Sequence, residues 1–376
     1  MPLKVLHTGD LHLGMTFNSR GYPEALRREL VEARLKTLER LVETANAEGC
    51  QLFIVAGDLF HRTRVPRETV LQALRALSAF QGNCVAVLPG NHDYYEPYGG
   101  LWKELRESAG SFDHLLLLTE TAPYALQDYG LEAVLYPAPC HSKHSAQNRL
   151  GWIRELAQRP PGRWHLGVAH GSVRGISPDF EGSYFPMEEE ELIQAGLDHW
   201  FLGHTHVRYP DRDHARNCPF TYCGTPEPDG FDCRHRGQAW ITTLDDSGAV
   251  ECRGLTTGQF FFQELRVTVS SAGELEELKR QLAADGERSL VKLYLEGTLP
   301  EDEYRKRSDW FRELRESLAY LEEDDGELAM EITPATIESL FPRNSFPYLL
   351  LSRLSEKGER EALQLAYRLI SEVRNS

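Results

Sequence analysis

The chain has 376 residues, 41% of them hydrophobic and 26% charged, with a formal net charge of −16. That length and composition belong to a folded chain of two or three domains, and no apolar run approaches the ~18 residues a membrane span needs. The acidity counts against a chain that grips nucleic acid by a basic face of its own.

From the N-terminus, residues 3–8 read as a short buried strand ending at Gly9-Asp10, with no signal-like segment before it, so a cytoplasmic location is expected. An amphipathic helix is predicted over 24–48, from Leu26, Leu30, Ala33, Leu38, Leu41, Val42 and Ala45, with Gly49 as its stop. Strand 51–56 leads to Gly57-Asp58. Pro66 introduces a helix over 67–81 with Val70, Leu71, Leu74 and Leu77 on one stripe. Strand 83–88 ends in Pro89-Gly90-Asn91-His92-Asp93. Further strands are expected at 114–118, 131–136, 164–169 and 199–202, with a helix around 145–158. Between 219 and 255 three runs alternate as antiparallel strands do. The pattern is that of an α/β fold: two packed mixed β-sheets flanked by helices.

A composition shift near 258 divides the chain. Residues 1–257 form the main domain, and 258–335 read strand, helix, strand, helix, strand, enough for a small α+β domain. Residues 336–376 are expected to be helical. Ala362, Leu365, Ala366, Leu369, Ile370 and Val373 make a stripe that serves either ordinary packing or a docked partner.

Seven cysteines without a CxxC pair read as reduced thiols. Cys218, Cys223 and Cys233, near His214 and His235, could in principle hold a structural zinc, but their spacing matches no common ligand module.

Five short motifs each follow a predicted strand: Asp10-x-His12, Gly57-Asp58, Gly90-Asn91-His92-Asp93, His170-Gly171 and Gly203-His204-Thr205-His206. Singly each is ordinary; Gly, Asn and Asp form turns, and a lone His-Gly carries no information. Together they place two carboxylates, one amide and four imidazoles, besides His92, at strand ends that gather along one sheet edge. Mixed N/O donors of this kind suit a pair of ions such as manganese or iron. A carboxylate shared by the pair would hold them ~3.5–4 Å apart, the spacing used for in-line displacement at phosphorus.

The runs Val5-Leu-His-Thr-Gly-Asp-Leu-His-Leu-Gly14, Ala56-Gly-Asp-Leu-Phe-His61, Leu88-Pro-Gly-Asn-His-Asp93, Leu202-Gly-His-Thr-His206 and Tyr222-Cys-Gly-Thr-Pro-Glu-Pro228 resemble the calcineurin-like metallophosphoesterase superfamily. Within it they resemble the SbcD-type nuclease subunits of DNA double-strand-break repair. The likeness covers about the first 245 residues. It implies a four-layer sandwich with 258–335 as a capping domain, and a two-metal DNA nuclease, exonuclease and endonuclease, using two divalent ions with Mn2+ expected. Asp10, His12 and His206 would ligate one ion and Asn91, His170 and His204 the other, with Asp58 bridging. His92 would face the scissile phosphate as the catalytic residue. His61 and Asp93 are candidate supports, Asp93 either orienting His92 or serving the turn. The partners implied are DNA, an SbcC-like SMC-family coiled-coil ATPase on the C-terminal helices, and a second copy of the chain through helices near 67–81 and 100–109. Two other readings remain: a metallophosphoesterase acting on a small phosphodiester or nucleotide, and a non-catalytic scaffold binding DNA ends or the ATPase.

Overall fold

The computed structural model describes residues 2–110 and 112–375. Short apolar runs bounded by turn formers become interior parallel strands when both faces can be covered. Leu3–Thr8 pairs in parallel with Leu52–Ala56, that strand with Cys84–Leu88, and Cys84–Leu88 with Leu115–Leu117. On the other side Gln238–Leu244 runs antiparallel to Leu3–Thr8, followed by Val250–Thr256 and the three-residue edge strand His214–Arg216. A second sheet has the order Phe220–Tyr222, His199–Gly203, Trp164–His170, Ala133–Ala138, Tyr124–Ala125.

Alternation along each strand builds the layers. Leu52 and Ile54 point between the sheets and join Leu166, Val168 and Phe201. Phe53 and Val55 point the other way, onto Leu38, Leu41, Leu74 and Leu77 of helices Glu24–Ala47 and Arg67–Ser78. Tyr136, Trp200 and Leu202 cover the far face with Ile153 and Leu192. Each such side chain contributes roughly 1.5–3 kcal/mol by leaving water. The result is the helix–sheet–sheet–helix sandwich expected from the strand order.

Two local expectations change. The helix anticipated at 145–158 shrinks to Gly151–Arg154. Ser145 is bound in extended pairing, its amide to the Ser183 carbonyl and its carbonyl to the Phe185 amide, so the preceding residues cannot coil. Phe220–Tyr222 does not join an antiparallel meander; it crosses to the second sheet and pairs in parallel with His199–Gly203. The short strands Tyr124–Ala125 and His214–Arg216 were too brief to carry a periodic signal.

The compact units divide after Phe262. In the second unit, the part of strand Phe261–Val269 that follows Phe262 and strands Ser289–Leu299 and Tyr320–Met330 pack with Ala272–Ala284 and Glu301–Ser317 around Leu275, Val291, Leu293, Phe311 and Leu314. Residues 336–376 belong to the same unit as 263–335. Its helices Ala272–Ala284, Pro334–Leu340 and Phe346–Glu356 start at Ser271, Thr333 and Ser345, whose hydroxyls accept the amides of Glu274, Thr336 and Tyr348. Among the described residues, no helix is long and apolar enough to cross a membrane.

A polar seam ties the two sheets of the first unit together. His7 Nε2 donates to the Leu202 carbonyl at 3.1 Å, and His199 Nδ1 donates to the Cys218 carbonyl at 2.9 Å. Between them lies the Thr221 hydroxyl, 3.3 Å from His7 Nδ1 and 3.0 Å from His199 Nε2. Each ring gives its one proton to a carbonyl, the single Thr221 hydroxyl proton serves one of the two remaining nitrogens, and burial keeps both rings neutral. Burial pushes His7 well below its ordinary value and His199 down to about 4. Both lie below the unfolded value of about 6.5, so the stability is fully present above that pH and is lost as pH falls toward the folded values. Each ring contributes a slope of about 1.4 kcal/mol per pH unit over that window. His199→Gln is expected to flatten the pH dependence of urea unfolding between about pH 6.5 and 4.5 relative to wild type; equal slopes would contradict a neutral, proton-excluding seam.

Candidate metal centre

The motif-bearing segments leave the C-terminal ends of Leu3–Thr8, Leu52–Ala56, Cys84–Leu88, Trp164–His170 and His199–Gly203, so the strand layout alone brings them to one edge. Their side chains converge. His12 Nε2 lies 3.2 Å from His206 Nε2 and 3.8 Å from Asp58 Oδ2. The same Asp58 oxygen is 3.5 Å from His170 Nε2. Asn91 Oδ1 is 2.9 Å from His170 Nε2 and 3.2 Å from His204 Nδ1. Asp10 Oδ1 faces His206 Nε2 at 3.9 Å. Two groups of donors result, one around Asp10, His12 and His206 and one around Asn91, His170 and His204, with Asp58 between them.

The donor set fits cations. His170 Nδ1 donates to the Ala56 carbonyl at 2.8 Å, which leaves Nε2 as a lone pair aimed at the Asn91 carbonyl oxygen and the Asp58 carboxylate. Acceptors turned toward one another in a buried space repel unless positive charge stands between them. Protons can supply part of it: burial depresses the His170 imidazole, but Asp58 and Asp10 outweigh burial and lift it to about 9. Burial likewise opposes ionisation of Asp58, yet His170, His12 and His92 hold its carboxyl well below the usual range. Burial pushes Asp10 upward and His12 well down, and His204 to about 3.

The backbone is bent to make this cage. Asp10, His12, Asp58 and His204 have φ of 51°, 48°, 52° and 99°, a region that costs a non-glycine residue of order 1–3 kcal/mol. Gly90 is required for a different reason. A Cβ there would collide with the carboxylate and amide of Asp58, so the Asn91-bearing loop could not approach that side chain.

His92 stands beside the cage. Its amide donates to Asp58 Oδ1 at 2.8 Å, and its Nδ1 donates to the His61 carbonyl at 3.2 Å, leaving Nε2 available. The His61 ring stacks on His92 with centroids 5.3 Å apart, and burial together with His92 pushes it down to about 4. His61 thus supports His92 through its main-chain oxygen as well as its ring. Asp93 does not bond the His92 ring. Its oxygens accept the Phe60 amide at 2.9 Å and the Gly90 amide at 2.7 Å, binding the Asp58 loop to the Asn91 loop. Burial, then the Asp58 charge, pushes Asp93 up to about 7.

Several contributors escaped sequence reading. Asp229 Oδ1 faces His206 Nδ1 at 3.8 Å; burial opposes its ionisation, but His206 and Arg34 hold it well below the usual range. Arg34, buried within the helix stripe, donates to the Leu11 carbonyl at 2.7 Å and the Glu227 carbonyl at 3.3 Å. His235 Nε2 donates to the His206 carbonyl at 2.8 Å. Such outer partners fix ligand orientation. Arg34 had a signal, since it falls between Leu30 and Leu38 on the apolar face. The cysteines do not form a zinc cluster: among the described residues, no group of metal-ligating side chains holds more than one, and Cys233 donates to Asp229 at 3.4 Å.

Asp58→Asn should lower bound metal from two equivalents per chain to one or fewer by elemental analysis. Gly90→Ala should do the same without removing any ligand. Full occupancy in both would contradict a bridging role for Asp58.

With this geometry in place, the similarities are informative. The profile of the family described as Calcineurin-like phosphoesterase matches residues 3–208. The chain is 24% identical over 317 residues to the uncharacterized metallophosphoesterase YhaO of Bacillus subtilis, covering 80% of this chain and 73% of that protein. It is 26% identical over 271 residues to the DNA double-strand break repair protein Mre11 of Methanopyrus kandleri, covering 69% of this chain and 54% of that protein, about half its length. Among solved structures, TT1561 of Thermus thermophilus gives a TM-score of 0.39 at 12% identity, over 67% of this chain and 98% of that one. Every donor from Asp10 to His206 lies inside the profile match, and on that ground the chain belongs to the calcineurin-like phosphoesterases and hydrolyses phosphate esters with bound metal.

Proposed function

We propose that this phosphoesterase is a two-metal nuclease that cleaves phosphodiester bonds in DNA, as exonuclease and endonuclease, during end processing and repair. The observation that carries the reading is the similarity to Mre11, a DNA double-strand break repair protein, across 69% of this chain.

When bound, two divalent cations, with manganese expected, supply Lewis acidity and a nucleophile for displacement at phosphorus. The chain's own part is positional. Asp58 sets the spacing of the two donor groups, and the Ala56 carbonyl fixes the His170 tautomer. His92, held at Nδ1 by the His61 carbonyl, keeps Nε2 free to contact a phosphoryl oxygen or to give a proton to the departing sugar oxygen. A carbonyl partner orients the ring without adding negative charge next to a phosphodiester.

Manganese with end-labelled linear duplex should give degradation products, and His92→Ala should reduce the rate by about 10²–10⁴-fold while retaining metal. Turnover of a small phosphodiester alone would favour a small-molecule esterase; binding of DNA ends without turnover would favour a scaffold.

The same proposal extends to partners. A coiled-coil ATPase of SMC type would dock on the last helix, Arg360–Asn375. Leu363, Ala366 and Ile370 pack within their own unit, while Leu365, Leu369 and Val373, spaced by four, are more than half exposed. Self-association through Arg67–Ser78 and Leu101–Ala109 would use their polar faces, because Val70, Leu74, Leu77, Trp102 and Leu105 are buried in the first unit. Leu369→Glu is expected to abolish co-purification with the ATPase and leave phosphodiester hydrolysis by the isolated chain unchanged.

A further inference from the structure

We infer that Phe180 stacks on an unpaired nucleobase next to the phosphate being cleaved, so that this centre takes a strand presented single-stranded or frayed. The inference rests on the nuclease reading above and specifies its substrate.

Among the described residues of the first unit, the large apolar side chains with wholly bare rings are Tyr98 and Phe180, at 103% and 97% exposure. Tyr98 stands three residues before Leu101–Ala109, the region assigned above to self-association. Phe180 lies elsewhere, on a segment bonded to the metal ligands' own loops. Ser172, two residues beyond His170, donates its hydroxyl to Asp179 Oδ2 at 2.7 Å. Asp179 also accepts the amides of Ser183 at 3.1 Å and Tyr184 at 3.0 Å. The Ser177 hydroxyl lies 2.6 Å from that of Thr205, the residue between His204 and His206. The Tyr184 ring sits 4.9 Å from the His204 ring.

A segment secured by this many polar bonds does not need a phenyl ring to hold its shape, and the ring packs into no core. Its immediate neighbours, Asp179 and Glu181, are acidic, and Arg174 of the same segment is paired with Glu188 at 3.1 Å, so no cation flanks the ring. It can offer a flat apolar face. Every nucleobase has a matching π-face, and stacking on an aromatic side chain supplies grip that does not depend on cations. For a chain with a formal net charge of −16, that is a route to polynucleotide affinity that draws on no cation of this segment.

The test compares wild type, Phe180→Ala and Phe180→Trp, each loaded with manganese, on labelled single strands and on matched strands with abasic sites walked through the first three nucleotides from each end. Phe180→Ala should lower kcat/KM on the base-bearing strand about ten-fold, and Phe180→Trp should restore it. An abasic site at the stacked position should bring wild type down to the Phe180→Ala rate. Metal content equal to wild type establishes that the centre is intact in both variants. Equal rates for wild type and Phe180→Ala on base-bearing strands overturn the inference, as does an undiminished Phe180→Ala defect on every abasic strand. Wild type that turns over a small phosphodiester but no strand overturns the nuclease reading itself and this inference with it.

Discussion

The chemistry of this molecule follows from crowding two carboxylates and four imidazoles together at one sheet edge, most of them buried. Asp10 and Asp58 are buried, His12 and His170 nearly so, and the nitrogens and oxygens face one another at 3–4 Å. Left alone, such a cluster opposes folding, since charge is removed from water and acceptors confront acceptors. The well-packed sheets around it bear that cost, and bound cations would turn each repulsion into a shared attraction.

The sandwich is suited to that burden. Parallel strands buried on both faces fix where each chain segment emerges, and the loops need only short reaches to meet. The loops are then tied to one another rather than left to the ions. Asp93 joins the Asp58 and Asn91 loops through two amides, Arg34 ties the Leu11 carbonyl to the Glu227 carbonyl, and the Thr225 hydroxyl donates to the Asp10 carbonyl at 2.9 Å. A ligand set held this way is arranged before any cation arrives.

Much of this was legible in the sequence. Strand ends and motif order brought Asp10, His12, Asp58, Asn91, His170, His204 and His206 to one sheet edge, where their side chains do converge, because Asp, Asn and His after apolar runs are local signals. Helices Glu24–Ala47 and Arg67–Ser78 matched their periodic stripes to within a few residues. What stayed hidden was set by tertiary pairing. Ser145 sits in a helical-looking stretch but pairs with Ser183 and Phe185, thirty-eight and forty residues on, which no local pattern reports. Phe220–Tyr222 resembles a meander strand, yet its partner is chosen by the second sheet. Asp229 and His235 act on His206 through contacts that their surrounding sequence does not mark.

The left-handed backbone at Asp10, His12, Asp58 and His204 has a bearing on how such a chain can change. Aspartate and histidine tolerate that conformation better than most side chains, so the coordinating role and the shape requirement select the same few residue types. Glycine alone would relax every one of these positions, and it coordinates nothing. A lineage released from the need for metal would therefore drift toward glycine at these sites and gain stability as it lost activity. In this chain all four positions carry a side chain able to coordinate, so the strain sits where the metal site needs it.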